Sequence, residues 1–288
     1  MSKTNFRSSF RNYFAFCSFF TVFFVSYTSV YVLDAQEQPR DELPAGELGE
    51  VIRLGEAIVE NTVEHPLSKA FVGNKLNCTS CHLNNGKHQR AGTFIGTATA
   101  YPAWAPREKR VITLEDRVLN CFMRSCNGVR PPMGSQVSIA VTTYISWLSN
   151  GQPIRQNEIR PVGPGAIKPL EIKATEGDGK RGENLYASRC AECHGADGLG
   201  DGANPPVWGP QSYSNGAGLS NSDHLAAWLK VAMPLDNESL TEQEATDIAV
   251  YVNSKERPRF ELREHLPPNQ DLGRYNGVLD ESPKRNTP

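Results

Sequence analysis

The feature that most constrains this chain is a pentapeptide that occurs twice, as Cys78-Thr79-Ser80-Cys81-His82 and Cys190-Ala191-Glu192-Cys193-His194. Cys-x-x-Cys-His is the attachment signal of c-type haem: two thiols add to the porphyrin, and the adjoining imidazole binds the iron from one side. Two copies imply two covalently bound haem c groups and a chain that moves electrons. A structural zinc site also uses paired C-x-x-C motifs, but those pairs usually stand about 15–20 residues apart. Here the gap is far longer, and a histidine follows the second cysteine both times. A thioredoxin-like redox pair is not tied to a following histidine and gives no reason for two copies.

The motifs divide the chain into two similar blocks. In the first, Leu48, Val51, Ile52, Leu54, Ile58 and Val59 recur at helical spacing and predict a helix over 48–62. A closing helix is expected over 136–149, with Ser135 as N-cap and Gly151 beyond its end. In the second block a helix over 180–189 leads into Cys190. Its closing helix opens with the capping box Thr241-x-x-Glu244 and carries Ile248, Ala249, Tyr251 and Val252. Strand patterns are scarce. The reading is an all-α chain of two tandem cytochrome c-type domains, over 48–150 for the first haem and 172–256 for the second. The segment 151–171 between them, with Pro153, Pro161, Gly163, Pro164, Gly165 and Pro169, is a Pro/Gly-rich linker. Residues 257–288 are expected to be an extended or partly disordered tail.

A length of 288 residues accommodates two domains, and 39% apolar with 22% charged residues is a globular composition. The net charge of −2 gives no nucleic-acid signal. Lys3, Arg7 and Arg11 precede an apolar stretch over 13–33, the pattern of an export signal cleaved near Ala35. A retained membrane anchor is the alternative, because the stretch is nearly long enough to span a bilayer. Ser, Thr and Tyr dilute it, which favours the cleaved signal, and Cys17 inside it then has no role in the mature protein. Export agrees with covalent haem and points to the periplasm.

What each haem does depends on the ligand opposite its histidine. A His/Met pair raises the potential and suits electron transfer. Met233-Pro234 stands between the second motif and the closing helix, where such a methionine is expected, with Lys230 and then His224 as weaker alternatives. The first block is different. Thr113-x-x-Asp116 reads as a helix start and Asn127-Gly128 as its end, and on that helix Arg117, Cys121 and Ser125 share one face. A thiolate on ferric haem is stabilised by the metal charge and by a nearby guanidinium. Met133 of Pro132-Met133-Gly134 is the alternative ligand. Cys126 points away from Cys121, so the two do not readily close a disulfide. Between 101 and 135 stand Arg107, Lys109, Arg110, Arg117, Arg124 and Arg130 against Glu108, Glu115 and Asp116, an excess that suggests an anionic substrate.

The segments Ala91-Gly92-Thr93, Tyr101-Pro102, Pro106-Arg107, Leu114-Glu115-Asp116-Arg117, Asn120-Cys121-Phe122-x-Arg124-Ser125-x-Asn127-Gly128, Trp147-Leu148-Ser149 and Met233-Pro234-Leu235 resemble the dihaem thiosulfate dehydrogenases. These are similar in one half to the SoxA subunit of the thiosulfate-oxidising system. The resemblance implies coupling of two thiosulfate ions into tetrathionate, or the reverse, with electrons exchanged with a soluble cytochrome c or copper protein. It implies His82 and Cys121 as ligands of a catalytic haem, His194 and Met233 as ligands of a transfer haem, and Arg107, Arg117 and Ser125 around the substrate. Cys126 departs from the family pattern, which has an apolar residue there. The competing readings are a SoxA-like subunit that loads thiosulfate onto a carrier protein and a plain dihaem electron shuttle; a dihaem peroxidase ranks lower.

Overall fold

A computed structural model describes residues 42–268 of the chain. The export-signal segment, Cys17 and the far end of the tail lie outside the described residues. Seven α-helices and one small hairpin make up the regular structure of the described residues. In the first half these are α1 (Glu47–Glu60), β1 (Ala103–Ala105), β2 (Arg110–Ile112), α2 (Leu114–Arg124) and α3 (Gln136–Trp147). In the second half they are α4 (Gly179–Arg189), α5 (Ala191–His194), α6 (Ser222–Ala232) and α7 (Glu242–Asn253). None of the described helices is long and apolar enough to cross a membrane.

Both halves use one frame. The apolar face of α1 (Ile52, Ile58, Val59) packs on α3 (Val141, Tyr144, Ile145), and Val118 and Phe122 of α2 close the same core. The crossing is tight because Gly55 has no side chain: a Cβ there would lie 2.1 Å from the Ala140 carbonyl oxygen and 2.7 Å from Tyr144 Cβ. In the second half α4 crosses α7 in the same way, with Gly182 placed so that a Cβ would lie 2.1 Å from the Asp247 oxygen and 2.9 Å from Tyr251 Cβ. Helices cross this closely only over a residue without a side chain.

The predicted helix ends are built as expected. Ser135 Oγ accepts from Ser138 N to cap α3. Thr241 and Glu244 exchange side-chain-to-backbone bonds at the start of α7. Thr113 and Asp116 do the same for α2, with Asp116 N donating to Thr113 Oγ1 at 3.1 Å. Asn127 takes a left-handed φ of 53° just past α2. The hairpin of β1 and β2 was not expected, since strands of three residues are too short to show a period.

The linker and the tail are more ordered than their composition suggests. In the linker Arg155 N donates to Thr99 O at 2.9 Å, and Ile167 and Leu170 pack against the core of the second half. The tail to residue 268 is irregular but not free. It contains a 3-10 turn, Leu262–Glu264, and folds back onto the first half, where Arg130 N donates to His265 O at 2.8 Å.

Candidate functional site

The first motif forms a tight turn in which His82 N donates to Cys78 O at 2.9 Å. His82 Nδ1 meets the Gly92 carbonyl, and a carbonyl only accepts, so the proton sits on Nδ1 and Nε2 keeps its lone pair. Gly92 is required for this approach: its φ is +62°, and a Cβ would stand 3.2 Å from His82 Nδ1. Phe94 stacks on the imidazole at 4.3 Å. Burial pushes the imidazole down to about 4, so it stays neutral, as a metal ligand must. The second motif repeats the arrangement, with His194 Nδ1 donating to Pro205 O at 2.9 Å. Carbonyl-oriented imidazoles with a free Nε2, each next to two unbridged thiols, fit c-type haem.

Three of the motif thiols are held neutral. Desolvation pushes Cys78 up to about 11, Cys81 to about 12 and Cys190 to about 11. Cys193 is exposed at the surface of the second half.

Two elements of the first half bring charge to the space beside its motif. The hairpin turn Pro106-Arg107-Glu108-Lys109, closed by Lys109 N donating to Ala105 O at 2.8 Å, carries Arg107 at its tip. Arg107 donates to Gly216 O at 3.1 Å. From α2 come Arg117, Cys121 and, at its end, Ser125, whose N donates to Cys121 O at 2.8 Å. Arg117 is exposed to solvent. Its guanidinium is raised above the ordinary value, first by the charge of a Cys121 thiolate, against the cost of desolvation; it also bonds the Tyr101 hydroxyl. Desolvation, then Arg124 and Arg117, push Arg107 down, so three guanidiniums crowd one space.

The alternatives separate on geometry. Met133 lies in a turn whose Gly134 N donates to Glu115 Oε1 at 2.7 Å. Glu115 is about 9 Å along the α2 axis from Cys121, at 1.5 Å per residue. Cys126 is buried, 5% exposed, with its Sγ 3.8 Å from the Leu76 carbonyl, and burial pushes its thiol well up. In the second half Met233 caps α6 in an extended conformation and packs against the core. Lys230 is half-buried on α6, and His224 is exposed with Nδ1 3.3 Å from Gly218 O.

One part of the basic excess has a different use. Arg130 is 2% exposed and pairs with Asp116 at 2.8 Å and with Asn120 Oδ1 at 2.7 Å. Asn120 donates to Glu108 Oε1 at 3.2 Å, and Glu108 lies 3.8 Å from Arg124. Arg130 is sealed at the inner end of this chain against Asp116 and Asn120, so it is not a substrate cation. Tyr101, Glu108 and Arg124 are the parts of the site that motif reading did not single out for a role. Tyr101 and Arg124 lie within the segments that resemble a known family, and Glu108 and Arg124 had entered only the charge balance of residues 101–135.

The halves meet beside the first motif. Trp228 Nε1 of α6 donates to Cys81 O at 3.1 Å, and Leu83 and Ala91 pack into the second core. Asn74 donates to Ser212 O at 3.1 Å, and Ser214 Oγ to Arg124 O at 2.7 Å.

A family model described as SoxA/TsdA, cytochrome c domain, matches residues 68–154. One described as cytochrome C oxidase, cbb3-type, subunit III, matches residues 177–252. The chain is therefore two tandem cytochrome c domains and takes two c-type haems. It is similar to thiosulfate dehydrogenase of Stutzerimonas stutzeri, 37% identical over 232 residues that cover 78% of this chain and 73% of that one. The thiosulfate dehydrogenase of Allochromatium vinosum is 38% identical over 76% of this chain and 83% of its own length. Among solved structures, thiosulfate dehydrogenase (TsdBA) from Marichromatium purpuratum, in the as-isolated form, superposes with a TM-score of 0.72 at 37% identity. That match covers 85% of this chain and 53% of the solved one, so this chain spans about half of that protein.

Proposed function

The chain belongs to the thiosulfate dehydrogenase family, and on that premise we propose that it is a periplasmic dihaem enzyme that oxidises two thiosulfate ions to tetrathionate. The observation that carries this reading is the convergence of Arg107 and Arg117 on Cys121. Two dianions about 5 Å apart repel by roughly 13 kcal/mol at an effective dielectric near 20, and only clustered cations offset a term of that size.

Cys78 and Cys81 would hold one porphyrin through thioether bonds and Cys190 and Cys193 the other. His82 and Cys121 would ligate the first iron, and His194 and Met233 the second. When bound, each haem accepts one electron, so the pair matches a two-electron coupling of sulfur. Arg107 and Arg117 orient the sulfonate oxygens, and Ser125 offers a hydroxyl donor. The Cys121 thiolate and the sulfane sulfur of one thiosulfate form an S–S bond, and two electrons leave the pair. The sulfane sulfur of a second thiosulfate attacks the outer sulfur of this adduct. Tetrathionate departs and the Cys121 thiolate is regenerated, in the manner of thiol–disulfide exchange. Exposed Leu199, beside the second motif, and exposed Leu235, beside Met233, suit transient contact with a soluble cytochrome c or copper protein.

The test is purified holoprotein with thiosulfate and ferricyanide. The expected result is one tetrathionate for every two ferricyanide reduced. Thiosulfate consumption only when a carrier protein is added would overturn this reading in favour of a SoxA-like subunit. Running the assay with tetrathionate and a reduced donor gives the directional bias.

A further inference from the structure

The unabsorbed cation of the site is Arg124, which lies one turn beyond Cys121 on α2. Its side chain is 11% exposed, its contact with Glu108 is long at 3.8 Å, and its Nε–H is buried with no hydrogen-bond partner. An unpaired guanidinium N–H is costly to bury unless a ligand completes it. The guanidinium carbon lies over the Phe260 ring, 4.5 Å from its centroid. Phe260 belongs to the tail, and its ring is stacked with His265 at 4.8 Å and 8°. His265 is clamped in turn, because Nδ1 donates to Gly128 O at 2.8 Å just past α2.

The same ring governs a second arginine. Gly216, whose carbonyl receives Arg107, lies against Phe260 so closely that a Cβ would stand 2.5 Å from the ring. Phe260 N donates to Asn215 Oδ1 at 2.8 Å, and Asn215 N donates to Pro258 O at 3.0 Å. Ser214 Oγ donates to Arg124 O at 2.7 Å. The loop 214–216 and the strap 257–267 therefore fix both the backbone and the guanidinium of Arg124, together with the anchor of Arg107.

We propose that Arg124 is a third guanidinium of the anion site, held in place by the C-terminal strap through Phe260, and that its free Nε–H donates to an oxyanion of the second thiosulfate. This rests on the thiosulfate reading above and deepens it. Two thiosulfate dianions and a Cys121 thiolate carry five negative charges, and buried Glu108 beside Arg124 adds one more. Arg107 and Arg117 offset two of these, and the site needs a further cation on the side of Cys121 away from Arg117. Arg124 stands there. In this arrangement Arg124 binds substrate, whereas Phe260 is a positioning residue.

The experiment measures two quantities on full-length holoprotein: the thiosulfate dependence of ferricyanide reduction, and calorimetric binding of sulfate as an unreactive dianion. Arg124→Gln is expected to raise the thiosulfate KM at least tenfold and weaken sulfate binding in parallel, with both haem spectra unchanged. Arg124→Lys keeps the charge without the Nε–H and falls between. Phe260→Leu is expected to raise KM several-fold, and Phe260→Tyr, which keeps the ring face, to restore it. A KM and sulfate affinity within twofold of wild type in Arg124→Gln would overturn the proposal, as would equal effects of the Leu and Tyr variants at 260. Sulfate binding that depends on Arg124 in a protein that releases no electrons from thiosulfate would support the anion site while refuting the thiosulfate reading.

Discussion

The two halves carry the same motif frame but use the helix before the closing one differently. In both, a glycine at the helix crossing brings a tyrosine-bearing helix into backbone contact, and a carbonyl orients the motif histidine. The first half presents α2, which is tied into its core by the buried chain Asp116–Arg130–Asn120–Glu108, with Arg124 at the outer end of that chain. The second half presents α6, which packs apolar Leu225, Ala226, Trp228 and Leu229 and ends in Met233. A helix that holds guanidiniums around a thiolate needs counter-charges behind it. A helix that delivers one thioether needs only a core.

The sharpest break in this symmetry is expected from Cys121→Ser against Met233→Leu. Loss of Cys121 is expected to lower tetrathionate formation by about 10^3-fold or more, as for removal of a covalent nucleophile. Met233→Leu is expected to retain more turnover in steady-state assays with ferricyanide, because the sulfur chemistry is left intact. Equal losses would mean that the halves are not divided in this way.

The buried brace gives the next effect. Arg130→Met leaves Asp116 without this partner at 2% exposure and is expected to cost about 3–5 kcal/mol. In thermal unfolding that is a fall of roughly 10 °C for a chain of this size. The shared frame is tested by Gly55→Ala and Gly182→Ala, each expected to cost about 1–3 kcal/mol through overpacking. The first should disturb only the spectrum of the first haem and the second only that of the other. The smallest effect is expected from Cys126→Ala, about 1 kcal/mol in denaturant unfolding, with both haem spectra retained.

What could be read from the sequence was local. The motifs, the capping boxes at Thr113 and Thr241, and the one-faced spacing of Arg117, Cys121 and Ser125 each lie within a turn or two of chain, where covalent geometry dictates proximity. The hairpin that carries Arg107 has strands too short for alternation to register. Arg130 and Arg124 looked alike in a basic run, yet one is sealed against Asp116 and the other rests on Phe260. That distinction is made by residues far away in sequence, and the Pro-rich tail that supplies Phe260 has the composition of a free end.

The central claim is that the two haems differ in their distal ligands, Cys121 in the first half and Met233 in the second. Electron paramagnetic resonance of the oxidised holoprotein tests it directly, with wild type measured beside Cys121→Ser and Met233→Leu. The account predicts two distinct low-spin ferric signals, of which the cysteine variant loses one and the methionine variant the other. A Cys121→Ser spectrum that keeps both signals would contradict it.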